Sequence, residues 1–188
     1  MKSLLVGLSA FALAAATGIS LTIGNVAAQS TRPYAGLQTR SIKALSAEQI
    51  ADLKAGRGMS LALAAELNGF SGPHHVLELG EQLGLTDRQR VDVQRLFDQM
   101  TAEVVPIGEK LISQEADLDR QFACRVVTPS GLDSVTAAIG VTQAELRKAH
   151  LKYHLMTPEL LTPAQMQRYA QLRGYADENS ATQHTPNH

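Results

Sequence analysis

The residues best suited to chemistry in this sequence are two histidines, His150 and His154, which lie four positions apart. On a helix this spacing places both imidazoles on one face, where they can bind the same metal ion. If that helix pairs with an antiparallel partner around a turn near residue 127, Glu103 and Met100 come close to the histidines. A carboxylate, two imidazoles and a thioether suit zinc, copper, nickel or cobalt. The alternative is that both histidines are partly exposed polar residues beside the helix–helix seam.

Two other groups of polar side chains have simpler interpretations. His74 and His75 are adjacent, so they do not share a helical face as a four-apart pair does, and we interpret them as residues that open a helix. Glu115 and Asp119 repeat a negative charge at helical spacing. This repeat is typical of a solvated face, with a cation site as the alternative.

The chain lacks the short signatures by which several enzyme classes are identified. It contains no HExxH pattern, no glycine-rich phosphate loop after a strand, and no serine, histidine and aspartate in a nucleophile context. Cys124 is the only cysteine, which excludes paired-cysteine motifs and a disulfide within the chain. We interpret it as a free thiol partly packed in a turn, with an intermolecular disulfide as the alternative. We therefore predict a protein that is not an enzyme and requires no cofactor.

The longest predicted helix of the chain helps to position these side chains. Apolar residues recur every three or four positions from Leu85 to Phe122, which is the pattern of an amphipathic helix. Thr86 and Gln89 can form a capping box at its start. Pro106 lies inside the stretch, and we predict a bend there, with the helix continuing beyond it.

A second long helix is predicted to return along the first. It begins at Thr128 and Pro129, carries an apolar stripe that reaches Tyr153, and is kinked or ended at Pro158. The short connection favours antiparallel neighbours. A last helix follows from Pro163 to about residue 173. We therefore predict an all-α fold, a long antiparallel helical hairpin with short flanking helices.

The remaining segments flank this hairpin domain, which occupies residues 85–174. Residues 46–84 carry the capping signals and glycine breaks of short helices. Residues 29–45 have no steady period, and we interpret them as a linker or a docked arm. The polar residues 175–188 are predicted to be a disordered tail.

The N-terminus has the pattern of a secretory signal peptide. Lys2 precedes an uncharged stretch of apolar and small residues, and Val26-Ala27-Ala28 offers small side chains to signal peptidase. We predict that residues 1–28 are cleaved near Ala28 and that no stable membrane insertion remains, with an uncleaved anchor as the alternative. With 17 basic and 18 acidic side chains, the chain lacks the basic surface that nucleic acid binding requires.

The starts of two predicted helices share the motif Leu-Thr-x-x-Gln. The motif occurs as Leu85, Thr86 and Gln89 and again as Leu161, Thr162 and Gln165. Because the two copies bracket the hairpin, the chain resembles the LTxxQ proteins of the bacterial envelope, the Spy/CpxP chaperone family and its heavy-metal-resistance relatives. The resemblance covers roughly residues 85–174, about half of the chain.

The resemblance implies a periplasmic location and two possible functions. Members of the family are dimeric, ATP-independent chaperones or envelope-stress proteins, and their relatives bind heavy metals for resistance or sensing. We therefore expect a homodimer that binds unfolded clients or an envelope sensor, with binding of a divalent transition metal as the alternative. Adaptable apolar surface for clients requires flexible side chains on the long helices. The candidates, each of which also suits a core, are Met100, Val104, Leu111 and Tyr153.

Overall fold

The computed structural model describes residues 33–176, and within that range the fold is all-α. A lone antiparallel bridge between Ile42 and Leu45 is the extended pairing in this part of the chain. The helices are α1 (Ala47–Lys54), α2 (Leu63–Glu66), α3 (Pro73–Glu78), α4 (Asp87–Ala123), α5 (Pro129–Met156) and α6 (Pro163–Leu172). The predicted fold class is therefore confirmed. The predicted signal peptide and most of the predicted tail lie outside the described residues.

Helices α4 and α5 form the predicted antiparallel hairpin. Helix α4 runs for 37 residues and continues through Pro106. Ion pairs cross the seam at two levels, between Lys110 and Glu145 at 3.3 Å and between Lys152 and Glu103 at 2.6 Å. Helix α5 ends at Met156, where a 3-10 turn over Thr157–Leu160 takes over, because Pro158 cannot donate to the preceding turn.

The predicted helix starts are confirmed by their hydrogen bonds. The side chains of Ser46, Thr86 and Thr162 each accept a hydrogen bond from the backbone nitrogen of the glutamine three residues later. The side chain of each glutamine in turn accepts a hydrogen bond from the backbone nitrogen of the capping residue. These are complete capping boxes, which satisfy backbone donors that a helix start otherwise leaves unpaired. Thr128 caps α5 by accepting from the backbone nitrogen of Gly131 at 3.1 Å.

The glutamines of the two Leu-Thr-x-x-Gln motifs also bind each other. The amide nitrogen of Gln89 donates to Oε1 of Gln165 at 2.8 Å, and that of Gln165 donates to Oε1 of Gln89 at 3.1 Å. Gln89 donates as well to the backbone oxygen of Leu160 at 2.9 Å. Glutamate has no donor to offer here, so the motif requires an amide. The paired motifs therefore hold the starts of α4 and α6 together.

A third layer, which we call the N-terminal layer, consists of the short helices α1, α2 and α3 and covers the hairpin near its open end. Helix α1 packs on α4 at Gly108, where a Cβ atom would lie 2.6 Å from the backbone oxygen of Leu53. Beside it, Gly56 has a left-handed backbone with φ of 67° and packs against Val104. Only glycine fits both requirements at position 56. The core lies at this level, and it contains Leu53, Leu96, Met100, Val104, Leu111, Leu146, Ala149 and Tyr153.

The far end of the hairpin, residues 112–138, has no third layer of helices, and none of its residues is buried. We call this region the distal hairpin. The N-terminal segment reaches its edge, where Lys43 pairs with Asp119 at 3.1 Å, so residues 34–45 are a docked arm. Glu115 is half-buried, and burial raises the pKa of its carboxyl group. Glu115 and Asp119 are therefore not the freely solvated pair that the sequence predicts.

Candidate binding cleft

A cavity of about 570 Å³ opens between the short N-terminal helices and the hairpin, and we call it the cleft. Residues before and within α2 form one side, α3 forms the rim, and α4 and α5 form the back. Apolar atoms provide most of the surface of its wall. The apolar residues used below are Met59, Leu63, Phe97 and Met100. Concave sites of this volume with mostly apolar walls are typical of ligand-binding sites.

A buried carboxylate, Glu66, ties α2 to the end of α6 beside the cleft. Glu66 is only 6% exposed, and Tyr169 donates a hydrogen bond to its Oε1 atom. The hydroxyl group of Tyr175 lies 3.3 Å from the same oxygen, and Nε of Arg173 lies 3.6 Å from it. Burial, reinforced by the Glu66 carboxylate, raises the pKa of Tyr169, so its hydroxyl group stays a donor. This network fixes the wall of the cleft.

The charged groups around the cleft are paired. Arg57 and Arg173, the two arginines of its wall, each lie against a carboxylate. At the rim His75 contacts Glu78, and this hydrogen bond is the largest of the influences that lower the pKa of Glu78. The cleft therefore offers a ligand little net charge and favours an uncharged occupant. The pairs are Arg57 with Asp52 at 2.5 Å, Arg173 with Glu66 at 3.6 Å, and His75 with Glu78 at 2.8 Å.

Both ring nitrogens of His154 face protein groups. Nδ1 lies 2.7 Å from the backbone oxygen of Phe70, and because a carbonyl oxygen only accepts, Nδ1 carries the proton. Nε2 faces Gly72, where an added Cβ atom would lie 2.5 Å away. The second oxygen of Glu66 lies 3.6 Å from Nδ1 and has no hydrogen-bond partner within residues 33–176. His154 therefore holds the Phe70–Gly72 turn against α5.

The predicted metal-binding group of Glu103, His150 and His154 is not assembled in the structure. Glu103 accepts hydrogen bonds from Lys152 at 2.6 Å and Tyr153 at 2.8 Å, and these bonds lower the pKa of its carboxyl group. His150 is 3% exposed and packs beneath Gly58. The antiparallel register is close to the predicted one, so the rotation of α5 about its axis explains the difference. Successive residues of a helix point about 100° apart, and the two histidines point towards the N-terminal layer and away from Glu103. A metal site at these three residues stays a prediction that requires Glu103 to change partners.

A different cluster brings metal-binding groups together at the rim. Within residues 33–176, the ligand atoms of His74, His75 and Glu78 all lie within 4.8 Å of one another. His74 and His75 do open α3, as the sequence predicts. The sequence pattern His-His-x-x-Glu could have predicted this cluster. Glu78 lies four residues after His74 and three after His75, and both spacings bring side chains together on a helix.

The side chains predicted to line a client-binding surface mostly belong to the core. Val104 is fully buried, and Leu111 and Tyr153 are 6% and 3% exposed. Met100 is the member of that set which also lines the cleft. Sequence reasoning missed Glu66 and Arg173, because residues 107 positions apart form no local pattern. Cys124, predicted to be partly packed, is an exposed free thiol.

Comparisons of the chain with protein-family models, with curated proteins and with solved structures found no match. The resemblance to LTxxQ proteins therefore rests on the two short motifs. Among residues 33–176, no helix has both the length and the apolar character that crossing a bilayer requires.

Proposed function

We propose that this protein binds apolar segments of unfolded polypeptides in the cleft, as an ATP-independent, Spy/CpxP-like chaperone. The observation that carries the proposal is the cleft itself, an open cavity of about 570 Å³ with a mostly apolar wall. That volume accommodates a large apolar side chain together with its neighbours. Because the charges around the cleft are paired, the attraction for a ligand comes from burial of apolar surface.

The side chains of the cleft support a site that accepts varied sequences. Met59 and Met100 line it with flexible thioethers, which adapt their shape to different apolar partners. Leu63 lines the cleft and is 48% exposed, and Leu67, one turn later, is 55% exposed. The apolar wall therefore continues onto the surface, where an extended chain can follow it.

We also propose that the protein works as a homodimer in the periplasm. The distal hairpin supports self-association, because its apolar residues Leu118, Leu132 and Val135 are only half-buried between two helices. A symmetric contact between two copies is the commonest way to cover such a surface. The signal-peptide pattern of residues 1–28 supports export.

The test is suppression of aggregation of an unrelated unfolded client by the purified mature chain, without ATP. The informative variant is Leu63→Gln, which places an amide in the cleft wall at a half-exposed position. Val141→Gln is the matched control, because Val141 is 57% exposed on α5 and lies outside the cleft lining. Loss of one half-buried apolar contact should weaken client binding about fivefold.

The proposal holds if the wild-type chain and Val141→Gln protect the client at near-stoichiometric ratio while Leu63→Gln needs a higher ratio. Absence of protection by the folded wild-type chain would overturn it. Equal protection by the two variants would show that the client does not bind in the cleft.

A further inference from the structure

The His74, His75 and Glu78 cluster shares two of its three residues with the cleft. His75 Nδ1 lies 2.8 Å from Oε2 of Glu78, and His74 Nε2 lies 3.4 Å from Oε1. Both histidines also line the cleft, where the side chain of His74 is 54% exposed and that of His75 is 36% exposed. A ligand in the cleft and a ligand on the cluster therefore meet the same two imidazoles.

The cluster has the donors of a divalent transition-metal site. Two imidazole nitrogens and a carboxylate oxygen bind zinc at about 2.0 to 2.2 Å and leave a fourth position for water. Ligand atoms around such an ion lie roughly 3.4 Å apart, which follows from those bond lengths and tetrahedral angles. The hydrogen bond between His75 and Glu78 must therefore open slightly, and His74 must turn towards its partners.

His74 links the cluster to the apolar wall of the cleft. Its ring stacks on Phe97 of α4, with ring centroids 5.6 Å apart and planes inclined by 24°. Phe97 is part of the cleft wall. Turning His74 towards a metal ion would change its contact with Phe97. A hydrated ion held at the rim would also oblige an apolar occupant of the cleft to displace water from it.

We propose that His74, His75 and Glu78 bind a divalent transition metal and that this metal and an apolar occupant of the cleft weaken each other's binding. The coupling rests on the proposed function of the cleft, whereas the metal site itself does not. Thermodynamic linkage requires the effect to be reciprocal, so each ligand lowers the affinity for the other by the same factor. A factor of about ten is typical for coupled sites.

The experiment uses the mature chain, zinc as the metal and Nile red as an uncharged apolar probe of the cleft. Zinc affinity is measured by calorimetry, and Nile red affinity by fluorescence with and without saturating zinc. The informative variant is His74→Gln/His75→Gln, which changes two partly exposed residues at the start of a short helix. The matched control is His184→Gln/His188→Gln, which removes two histidines far along the chain. Melting curves of both variants verify folding.

The expected result is zinc binding that is lost in His74→Gln/His75→Gln, retained in the control, and accompanied by about tenfold weaker Nile red binding. No zinc binding by the wild-type chain would overturn the metal site and leave the proposed client binding intact. Zinc binding that survives in His74→Gln/His75→Gln would also overturn it. Cluster-dependent zinc binding with unchanged Nile red affinity would overturn the coupling, and failure of Nile red to bind at all would count against the cleft.

Discussion

The two ends of the hairpin are built from the same two helices, yet they differ in packing. Near the open end, α4 buries Val93, Leu96, Met100, Val104 and Leu111 under the short helices. In the distal hairpin the apolar stripe continues with Ile112 and Leu118, and no residue from 112 to 138 is buried. An amphipathic stripe therefore specifies a helix, whereas the third layer determines whether that stripe becomes a core.

This difference also separates the proposed functions. The cleft exists only where the N-terminal layer meets the hairpin, because its walls come from both. The distal hairpin has no such layer, and its half-buried apolar side chains are available to a second copy of the chain. We therefore propose that one end of the hairpin binds clients and that the other end mediates self-association.

The largest expected effect distinguishes Leu111 from Leu118, two leucines of α4 separated by two helical turns. Leu111 is 6% exposed in the core, whereas Leu118 is half-buried in the distal hairpin. Leu111→Ala should lower the free energy of unfolding by roughly 3 kcal/mol, because it leaves a cavity. Leu118→Ala should cost about 1 kcal/mol or less in the monomer, since it removes less buried surface. Urea denaturation at low protein concentration measures both.

The same pair tests self-association by sedimentation velocity. Leu118→Ala should weaken the dimer, whereas the folded fraction of Leu111→Ala should dimerise as the wild type does. A wild-type chain that stays monomeric at tens of micromolar would exclude the proposed dimer.

Acid should destabilise the fold, because His150, which is buried at the end of the hairpin that carries the cleft, becomes protonated. Burial, with a smaller contribution from the charge of His154, lowers the pKa of His150 to about 4, compared with about 6.5 in an unfolded chain. The unfolded state therefore binds one more proton between these values. The stabilisation is complete above about pH 6.5 and is lost as the pH falls towards 4, by up to roughly 3 kcal/mol. Denaturation curves across this pH range measure the loss.

The matched variant for this prediction is His150→Gln, which cannot titrate. Its free energy of unfolding should depend less on pH between about 6.5 and 4. A variant profile as steep as that of the wild type would show that other groups cause the acid sensitivity.

Two glycines of the hairpin should respond to alanine in opposite directions. At Gly108 a Cβ atom would meet the backbone oxygen of Leu53 at 2.6 Å, so Gly108→Ala should push α1 away and cost about 2 kcal/mol. At Gly140 no atom lies within 4 Å of the added carbon, so Gly140→Ala should stabilise helix α5 by roughly 0.5 to 1 kcal/mol. Thermal melts compare the two. Destabilisation of equal size at both positions would contradict the close packing of α1.

Loss of the pairing between the two motif glutamines should have a smaller effect than Leu111→Ala. Gln89→Glu keeps the capping acceptor but loses the donor to Gln165 and to the backbone of Leu160. The expected loss is about 1 to 2 kcal/mol, the cost of unpaired polar groups. Gln94→Glu is the matched control, because Gln94 lies exposed on the same helix and bonds only to Asp98 one turn away in the described residues. Melting temperatures that fall equally in both variants would argue against the pairing.

The sequence predicts the helices and caps well, because their causes are local. Thr86 with Gln89 and Thr162 with Gln165 form the capping boxes that their spacing predicts. The antiparallel register near His150 is also close to the prediction. The rotation of α5 is different, since the N-terminal layer and not Glu103 packs on the histidine face, and no local pattern encodes that choice.

The cleft could not be predicted, because its parts come from distant segments. Glu66, His154 and Arg173 meet only after α2, α5 and the end of α6 have packed. The cluster at the rim could have been predicted, since the His-His-x-x-Glu spacing of α3 is local. The two adjacent histidines do not share a helical face, but Glu78 lies close enough to contact both of them.

The most direct test of the central claim is amide hydrogen exchange of the purified chain, alone and with a saturating unfolded client. Exchange reports local opening along the backbone, so it separates the two ends of the hairpin. We predict that the client slows exchange in residues 55–66 and 73–78, which border the cleft, and leaves exchange in residues 112–138 unchanged. Slowing confined to residues 112–138 would place the client on the distal hairpin and contradict the account.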